Sequence, residues 1–344
     1  MIYHVTYTKT GGINSYVNNL HTASPKDHNI VEVERGKEMS ALQSLLAMNS
    51  QHHVILHDPS FLNHLQSTTS VGLSIVLHGD NSYYYSAVEG YGQLVDGIIS
   101  VSQTITNNIP KRFLDKTLTL GPSIAYTGPS SFPPQERKNL NLIFVAREDR
   151  NKGAQHLPTI DRTIIKAGLS ANWTIVLGSR PEKITRFRSW LIKHDSRIKL
   201  LENQPNHTIT KLISNHDALI LPSKTEGHPM VLIEALSQSV PPFTFHYTAT
   251  CKDHLPTDPE GIVSPSTSPE ELAGKIVHHH QRSFESLQTW QGLAQQYVAH
   301  HHNPRRQTEL LMNFLESLPN KSKSPSRQLL YKWKRRIQII TGTW

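Results

Sequence analysis

The chain holds one cysteine, Cys251, in 344 residues. That excludes an intramolecular disulfide framework and is compatible with a reducing compartment. No stretch approaches the ~18–20 unbroken apolar residues that a membrane-spanning helix needs. Aromatic residues make up 7% and apolar residues 37%, with a mean hydropathy of -0.42, the profile of a soluble globular protein. The opening run Ile2-Tyr3-His4-Val5-Thr6-Tyr7 lacks a basic lead and runs into a turn. It is therefore expected to be a first strand rather than a signal peptide, with a cytoplasmic location as the default. No Asp-x-Asp pair of the kind that holds a divalent ion lies near a strand end, so no metal site is expected.

Acid is absent from the last segment altogether. The formal net charge is +8, and between Pro319 and Trp344 lie Lys321, Lys323, Arg327, Lys332, Lys334, Arg335 and Arg336. The rest of the chain is left with about +1, so the basicity belongs to a tail and not to a folded nucleic-acid-binding face. Within it, Leu329, Leu330, Trp333, Ile337 and Ile340 fall on one arc of about 100° of a helix, mostly flanked or opposed by bases.

Short β-rich runs alternate with stretches of helical period over 1–123. The strands expected are Ile2–Tyr7, Ile30–Glu34, Val54–His57, Ser74–His78, Gly97–Ser102 and Thr117–Leu120. Between them Ile13–Leu20, Lys37–Met48, Tyr83–Gly90 and Gln103–Ile109 read as helices. A Pro/Ser/Gly-rich linker follows over 124–140, including Gly128-Pro129-Ser130-Ser131-Phe132-Pro133-Pro134. The alternation then restarts over 141–283, with helix Ile184–Lys193 among its elements, and Glu260–Val263 is expected as a late strand from a family resemblance whose main motifs are given below. One C-terminal helix is expected over 284–318 and a basic amphipathic tail over 319–344. Alternation of this kind predicts parallel βαβ units, hence two doubly wound α/β domains with a ligand cleft between them.

The segment Leu221-Pro222-Ser223-Lys224-Thr225-Glu226-Gly227-His228-Pro229-Met230-Val231-Leu232-Ile233-Glu234-Ala235-Leu236 carries the strongest chemistry. A buried strand ends in a polar turn, and a helix then begins with Pro229 in its first turn. The free N–H groups at that helix start suit a phosphate or a sugar hydroxyl. Glu226 in the turn and Glu234 in the helix can face one site, although a capping Glu226 and a solvated Glu234 fit the spacing as well.

This segment resembles the Glu-x7-Glu signature of glycosyltransferase family 4, meeting each fixed position of P-S-x-x-E-G-x-P-x-x-x-x-E-A. The resemblance implies a GT-B fold of two Rossmann-like domains, the first for the acceptor and the second for a nucleotide-sugar donor. It implies that Glu226 with Gly227 and His228 holds the sugar and that Glu234 binds the ribose, with Ser223 and Met230 in the donor-binding set. Ile143–Arg147 followed by Lys152-Gly153 resembles the element whose Arg147 and Lys152 neutralise the donor diphosphate. Gly11-Gly12 after the first strand resembles the glycine-rich loop, and His78 the histidine that touches the transferred sugar. Asp96 and Ser100-Val101-Ser102 read as architectural.

The sequence departs from the family at Ala146, at Gly178-Ser179-Arg180-Pro181 and at Ser237-Gln238-Ser239-Val240-Pro241, where glycine is commoner. The N-terminal half is also short, which leaves the acceptor open. The implied activity is retaining, metal-independent transfer, without a cofactor, to a glycan or lipid-linked acceptor in surface polysaccharide synthesis. The catalytic set is His78, Arg147, Lys152 and Glu226. No specific nucleic acid is expected as a partner. Residues 327–340 are candidates for peripheral contact with an anionic membrane surface, while Leu329–Ile340 could instead pack on the N-terminal domain. The alternatives are another enzyme on the same fold, an epimerase or phosphorylase, or a non-catalytic protein acting through its tail. His278-His279-His280 and His300-His301-His302 are expected as solvated helix faces.

Overall fold

The structure, a computed structural model, describes residues 1–8, 11–48, 51–65, 71–124, 139–147, 149–178, 197–246 and 249–318. It divides into two units, Met1–Pro122 with Pro304–Trp344, and Ser123–Asn303. The greater part of the linker, helix Ile184–Lys193 and the whole basic tail lie outside the described residues.

The first unit is built on a six-stranded sheet: β1 Ile2–Tyr7, β2 His28–Val33, β3 His53–Leu56, β4 Gly72–Leu77, β5 Gly97–Ser100 and β6 Thr117–Thr119. Its order is β2-β1-β3-β4-β5-β6, every pair parallel. Strands covered on both faces read as continuous apolar runs instead of alternating ones. β4, Gly-Leu-Ser-Ile-Val-Leu, is buried along nearly its whole length. Asp96, expected to be architectural, accepts a hydrogen bond from the Leu73 backbone N–H at 2.8 Å. Ser102 caps the helix Gln103–Asn107.

Among its described residues the second unit has five parallel strands: β7 Asn139–Ala146, β8 Ser170–Leu177, β9 Ile198–Glu202, β10 Ala218–Leu221 and β11 Pro242–Thr244. Their order is β11-β10-β7-β8-β9. Side-chain alternation sorts the core into two layers. Leu142 and Phe144 join Leu232, Leu236, Trp290 and Val298 in one cluster, while Ile143 joins Ile209, Ile213 and Ala235 in the other. The helix Met230–Ser237 contributes to both layers and is buried nearly all round, as its composition requires.

Three differences from the sequence reading have local causes. The expected helix over 284–318 is two helices, Phe284–His301 and Pro304–Ser317. Pro304 disfavours helical backbone at Asn303 and fits the first turn of the helix that follows. This last helix lies in the first unit, packed against the helix Gly12–Ala23. Glu260–Val263, expected as a strand, is a loop. Gly261 has a positive φ of 67°, and the Val263 N–H donates to the Asp258 carboxylate at 2.7 Å, not to a strand. That carboxylate also pairs with Arg282 at 2.5 Å, both side chains being buried. Finally, the histidine triplets are not uniformly solvated: His279 and His302 are buried. His279 packs edge-on to Phe243 and Trp290, and His302 lies against His254 and Tyr297.

Candidate functional site at the carboxyl end of the second sheet

From β7 the chain winds outward through β8 and β9, then returns to the other side of β7 to form β10 and β11. The loops leaving β7 and β10 therefore part in opposite directions, and a doubly wound sheet binds its ligands in that crevice. The register pairs Ala218 with Leu142 and Leu219 with Ile143, so the two strands end within one residue of each other. Arg147, Lys152 and Glu226 all stand on these two loops.

The loops are laced together through backbone and side chain. Lys224 N–H donates to the Asn151 carbonyl at 2.7 Å. The Lys152 ammonium donates to both carboxylate oxygens of Glu226, each at 2.8 Å. The Glu226 side chain is only 8% exposed and that of Lys152 19%. Behind them, Thr250 Oγ1 donates to the Glu226 carbonyl at 2.7 Å. Thr250 belongs to the short helix Ala249–Lys252, which also brings the buried Cys251 near the pair. Asn151 and Thr250 were invisible in the sequence because Asn151 acts through its own backbone carbonyl and Thr250 on that of Glu226, and no residue pattern records that.

Gly153 makes this lacing possible. Its φ is +78°, and a Cβ there would meet the Pro222 carbonyl oxygen at 1.9 Å. Gly168 has a similar φ of +82° with open space around it, so it separates conformation from contact. Gly153→Ala is expected to destabilise the protein by about 2–5 kcal/mol, from left-handed backbone and overpacking together. Gly168→Ala should cost only the conformational part, about 1–2 kcal/mol. Thermal unfolding of the two variants checks this, and equal losses would remove the close approach as a cause.

The remaining donor-set residues divide by environment. Arg147 is exposed just beyond β7 and forms no ion pair with a described residue. Ser223 is fully buried at the end of β10, and Gly227 and His228 are half-buried. Pro229 precedes the helix in extended conformation instead of occupying its first turn, so the helix starts at Met230, which is itself buried. The residue preceding a helix already offers its carbonyl to it, and here Pro229 accepts from Leu232 N–H at 3.0 Å. Glu234 lies in the second turn and is buried, not solvated. Among the described residues nothing donates a hydrogen bond to its carboxyl, and burial pushes its pKa up to about 7.

The first-unit residues occupy comparable places in their own sheet. Its switch point falls between β1 and β3. Gly11, with φ +62°, precedes the helix that Gly12 opens after β1. His78 follows β4, half-buried, with Nε2 2.9 Å from His57 Nδ1. Burial lowers the His78 pKa to about 3, so the ring is neutral across the physiological range.

These two sheets, each with its switch point, are the architecture of a known fold. The structure of HepE from Anabaena with UDP and glucose matches with a TM-score of 0.74 at 12% identity, covering 92% of this chain and 99% of that one. The fold is GT-B. The lipopolysaccharide outer core galactosyltransferase WaaB matches with a TM-score of 0.64 at 15% identity, covering 92% and 99% of the two chains. TarM of S. aureus, in complex with UDP and other ligands, matches with a TM-score of 0.67 at 13% identity. That match takes in 81% of this chain, which spans 58% of TarM's length. Residues 131–280, which fall within the second unit, match the family model described as "Glycosyl transferases group 1". No curated protein matches the sequence.

Proposed function

We propose that the protein is a retaining glycosyltransferase of family 4 type that moves a sugar from a nucleoside-diphosphate sugar to a glycan or lipid-linked acceptor. The observation that carries this reading is the Lys152–Glu226 clasp, set at the switch point of the second sheet with the buried Glu234 on the helix that follows. A carboxylate held on both oxygens by an ammonium is fixed in orientation, as a group that receives sugar hydroxyls must be. Lys152 and the exposed Arg147 supply positive charge for the diphosphate, and the start of the helix Met230–Ser237 adds free N–H groups. The Glu234 carboxyl, to which no described residue donates a hydrogen bond, is suited to accept hydrogen bonds from ribose hydroxyls. HepE, whose structure holds UDP and glucose, lends support by its fold.

In the reaction, the bond from the sugar's anomeric carbon to the diphosphate oxygen breaks. The acceptor oxygen bonds to that carbon on the same face, and its proton passes to the departing diphosphate. Lys152 and Arg147 stabilise the charge that grows there, which makes the site independent of a metal ion and of any cofactor. His78 contacts the sugar. Surface polysaccharide synthesis in the cytoplasm is the proposed setting, with residues 327–340 touching an anionic membrane. Among the described residues no helix is long and apolar enough to cross a membrane.

Proton NMR of the product distinguishes the outcomes. The expected result is an anomeric configuration equal to the donor's, unchanged when a chelator is added. Inversion, or activity abolished by chelator and restored by a divalent ion, would contradict the mechanism. Epimerised donor or a sugar phosphate in place of a glycoside would reassign the enzyme.

A further inference from the structure

Four imidazoles form one hydrogen-bonded line across the first sheet. His28 Nδ1 lies 2.8 Å from His4 Nε2, His4 Nδ1 2.9 Å from His57 Nε2, and His57 Nδ1 2.9 Å from His78 Nε2. They come from four neighbouring strands or their ends, in the spatial order β2, β1, β3, β4. The register explains why they meet. His28 is level with Ile2, His4 with Ile55, and the His57 N–H binds the Val5 carbonyl. Each step thus climbs two residues toward the carboxyl ends, and a period of two keeps all four rings on one face. The His4 and His28 rings are within 10° of coplanar, and the later pairs are tilted by 39° and 27°. Tyr16 presses against both His57 and His78.

Every link joins an Nδ1 to an Nε2, so the line has only two arrangements of neutral rings. In one, each Nδ1–H donates toward His78, and His28 Nε2 ends the line as a bare lone pair. In the other, each Nε2–H donates toward His28, and His28 Nε2 ends it as an N–H. That terminal atom is buried and without a hydrogen-bond partner among the described residues. A buried N–H left unpaired is rarer, and costs more, than an under-used acceptor. Burial also holds all four rings below their ordinary pKa, His28 at about 4, so neither end is charged near neutrality.

We propose that His28, His4 and His57 are positioning residues that fix His78 as the tautomer with its proton on Nδ1. This rests on reading His78 as a residue that contacts the sugar, and it adds that the contact is a neutral N–H donor directed at a sugar oxygen. The tautomer of a site imidazole is set by what its other nitrogen does, and here that is settled three rings away.

The test uses the full chain labelled with 15N-histidine, with ring protonation read from long-range proton–nitrogen correlations and His78 assigned from His78→Gln. The expected wild-type spectrum shows His78 protonated at Nδ1. In His28→Asp, whose carboxylate accepts from His4 Nε2–H and so reverses the line, a population protonated at Nε2 appears, and kcat falls by about tenfold or more with KM for the donor little changed. His28→Asn, whose amide N–H stands near the lost Nδ1–H, should restore both. Wild-type His78 protonated at Nε2 overturns the proposal even if no variant folds, as does an unchanged tautomer in a folded His28→Asp. A changed tautomer with unchanged kcat overturns its catalytic half. Absence of transfer in every protein, wild type included, counts against the enzyme reading, while the spectra still decide the tautomer.

Discussion

Lys152→Ala is expected to lower kcat for sugar transfer by about two to three orders of magnitude, the usual loss when one preorganised charge is removed from a reacting site. The ammonium has two tasks here. It holds both oxygens of Glu226 at 2.8 Å, and it is the partly exposed cation placed to meet a diphosphate. Removing it leaves a carboxylate that is 8% exposed facing the site without its counter-charge. An uncompensated charge of that kind costs more than the pair contributes while intact. Glu226→Ala should be as damaging to transfer, because the sugar loses its oriented acceptor. The two losses should not add. The double variant is expected to be about as active as the worse single variant, since each substitution disables one shared unit. Steady-state kinetics of the cycle checks this, and additive losses would mean that the two side chains act separately.

Glu234→Gln is expected to split stability from binding. The folded-state pKa of Glu234 is raised to about 7 against an ordinary 4.5, because burial disfavours the charged form. For a raised carboxyl, stability is fully present below the ordinary pKa and is lost as pH rises through about 7. The unliganded variant should therefore match wild type near pH 5 and exceed it near pH 8, by at most about 3 kcal/mol. Nucleotide affinity should move the other way. Ribose hydroxyls donate to the ionised carboxylate, so wild-type affinity should rise between about pH 6 and 8, and the variant should lose that rise. At pH 8 the variant should bind about 10–100-fold more weakly, the loss of charge-assisted hydrogen bonds. Thermal melts and calorimetric titrations at the two pH values measure both effects. A variant no more stable at pH 8 and equally tight would remove Glu234 from the site.

Much of this was legible in the sequence because it rests on local pattern. The strand Ala218–Leu221, its polar turn and the helix Met230–Ser237 follow from an apolar run, a Pro/Gly turn and helical period. Alternation of strands and helices likewise gave parallel sheets. What was not legible depends on long-range register or on single backbone groups. The direct pairing of Lys152 with Glu226, 74 residues apart, requires the crossover that puts β10 beside β7. The histidine line had no signature among 21 histidines, since only the stagger of four strands places His28, His4, His57 and His78 on one face. The break at Asn303-Pro304 was available in the sequence, because a proline disfavours helical backbone at the residue before it.

The central claim is that the carboxyl end of the second sheet holds a nucleotide sugar through Lys152, Glu226 and Glu234. Its most direct measurement is a thermal-shift series of wild type, Lys152→Ala and Glu226→Ala against a panel of nucleoside diphosphates and their sugars. A ligand at 100 times its Kd stabilises the folded state by about 2.7 kcal/mol. Wild type should show a rise in Tm with one nucleotide series, larger for the sugar-bearing form than for the bare diphosphate. Lys152→Ala should lose most of the rise, and Glu226→Ala only the part due to the sugar. A wild type indifferent to every nucleotide, or equal shifts in all three proteins, would contradict the assignment.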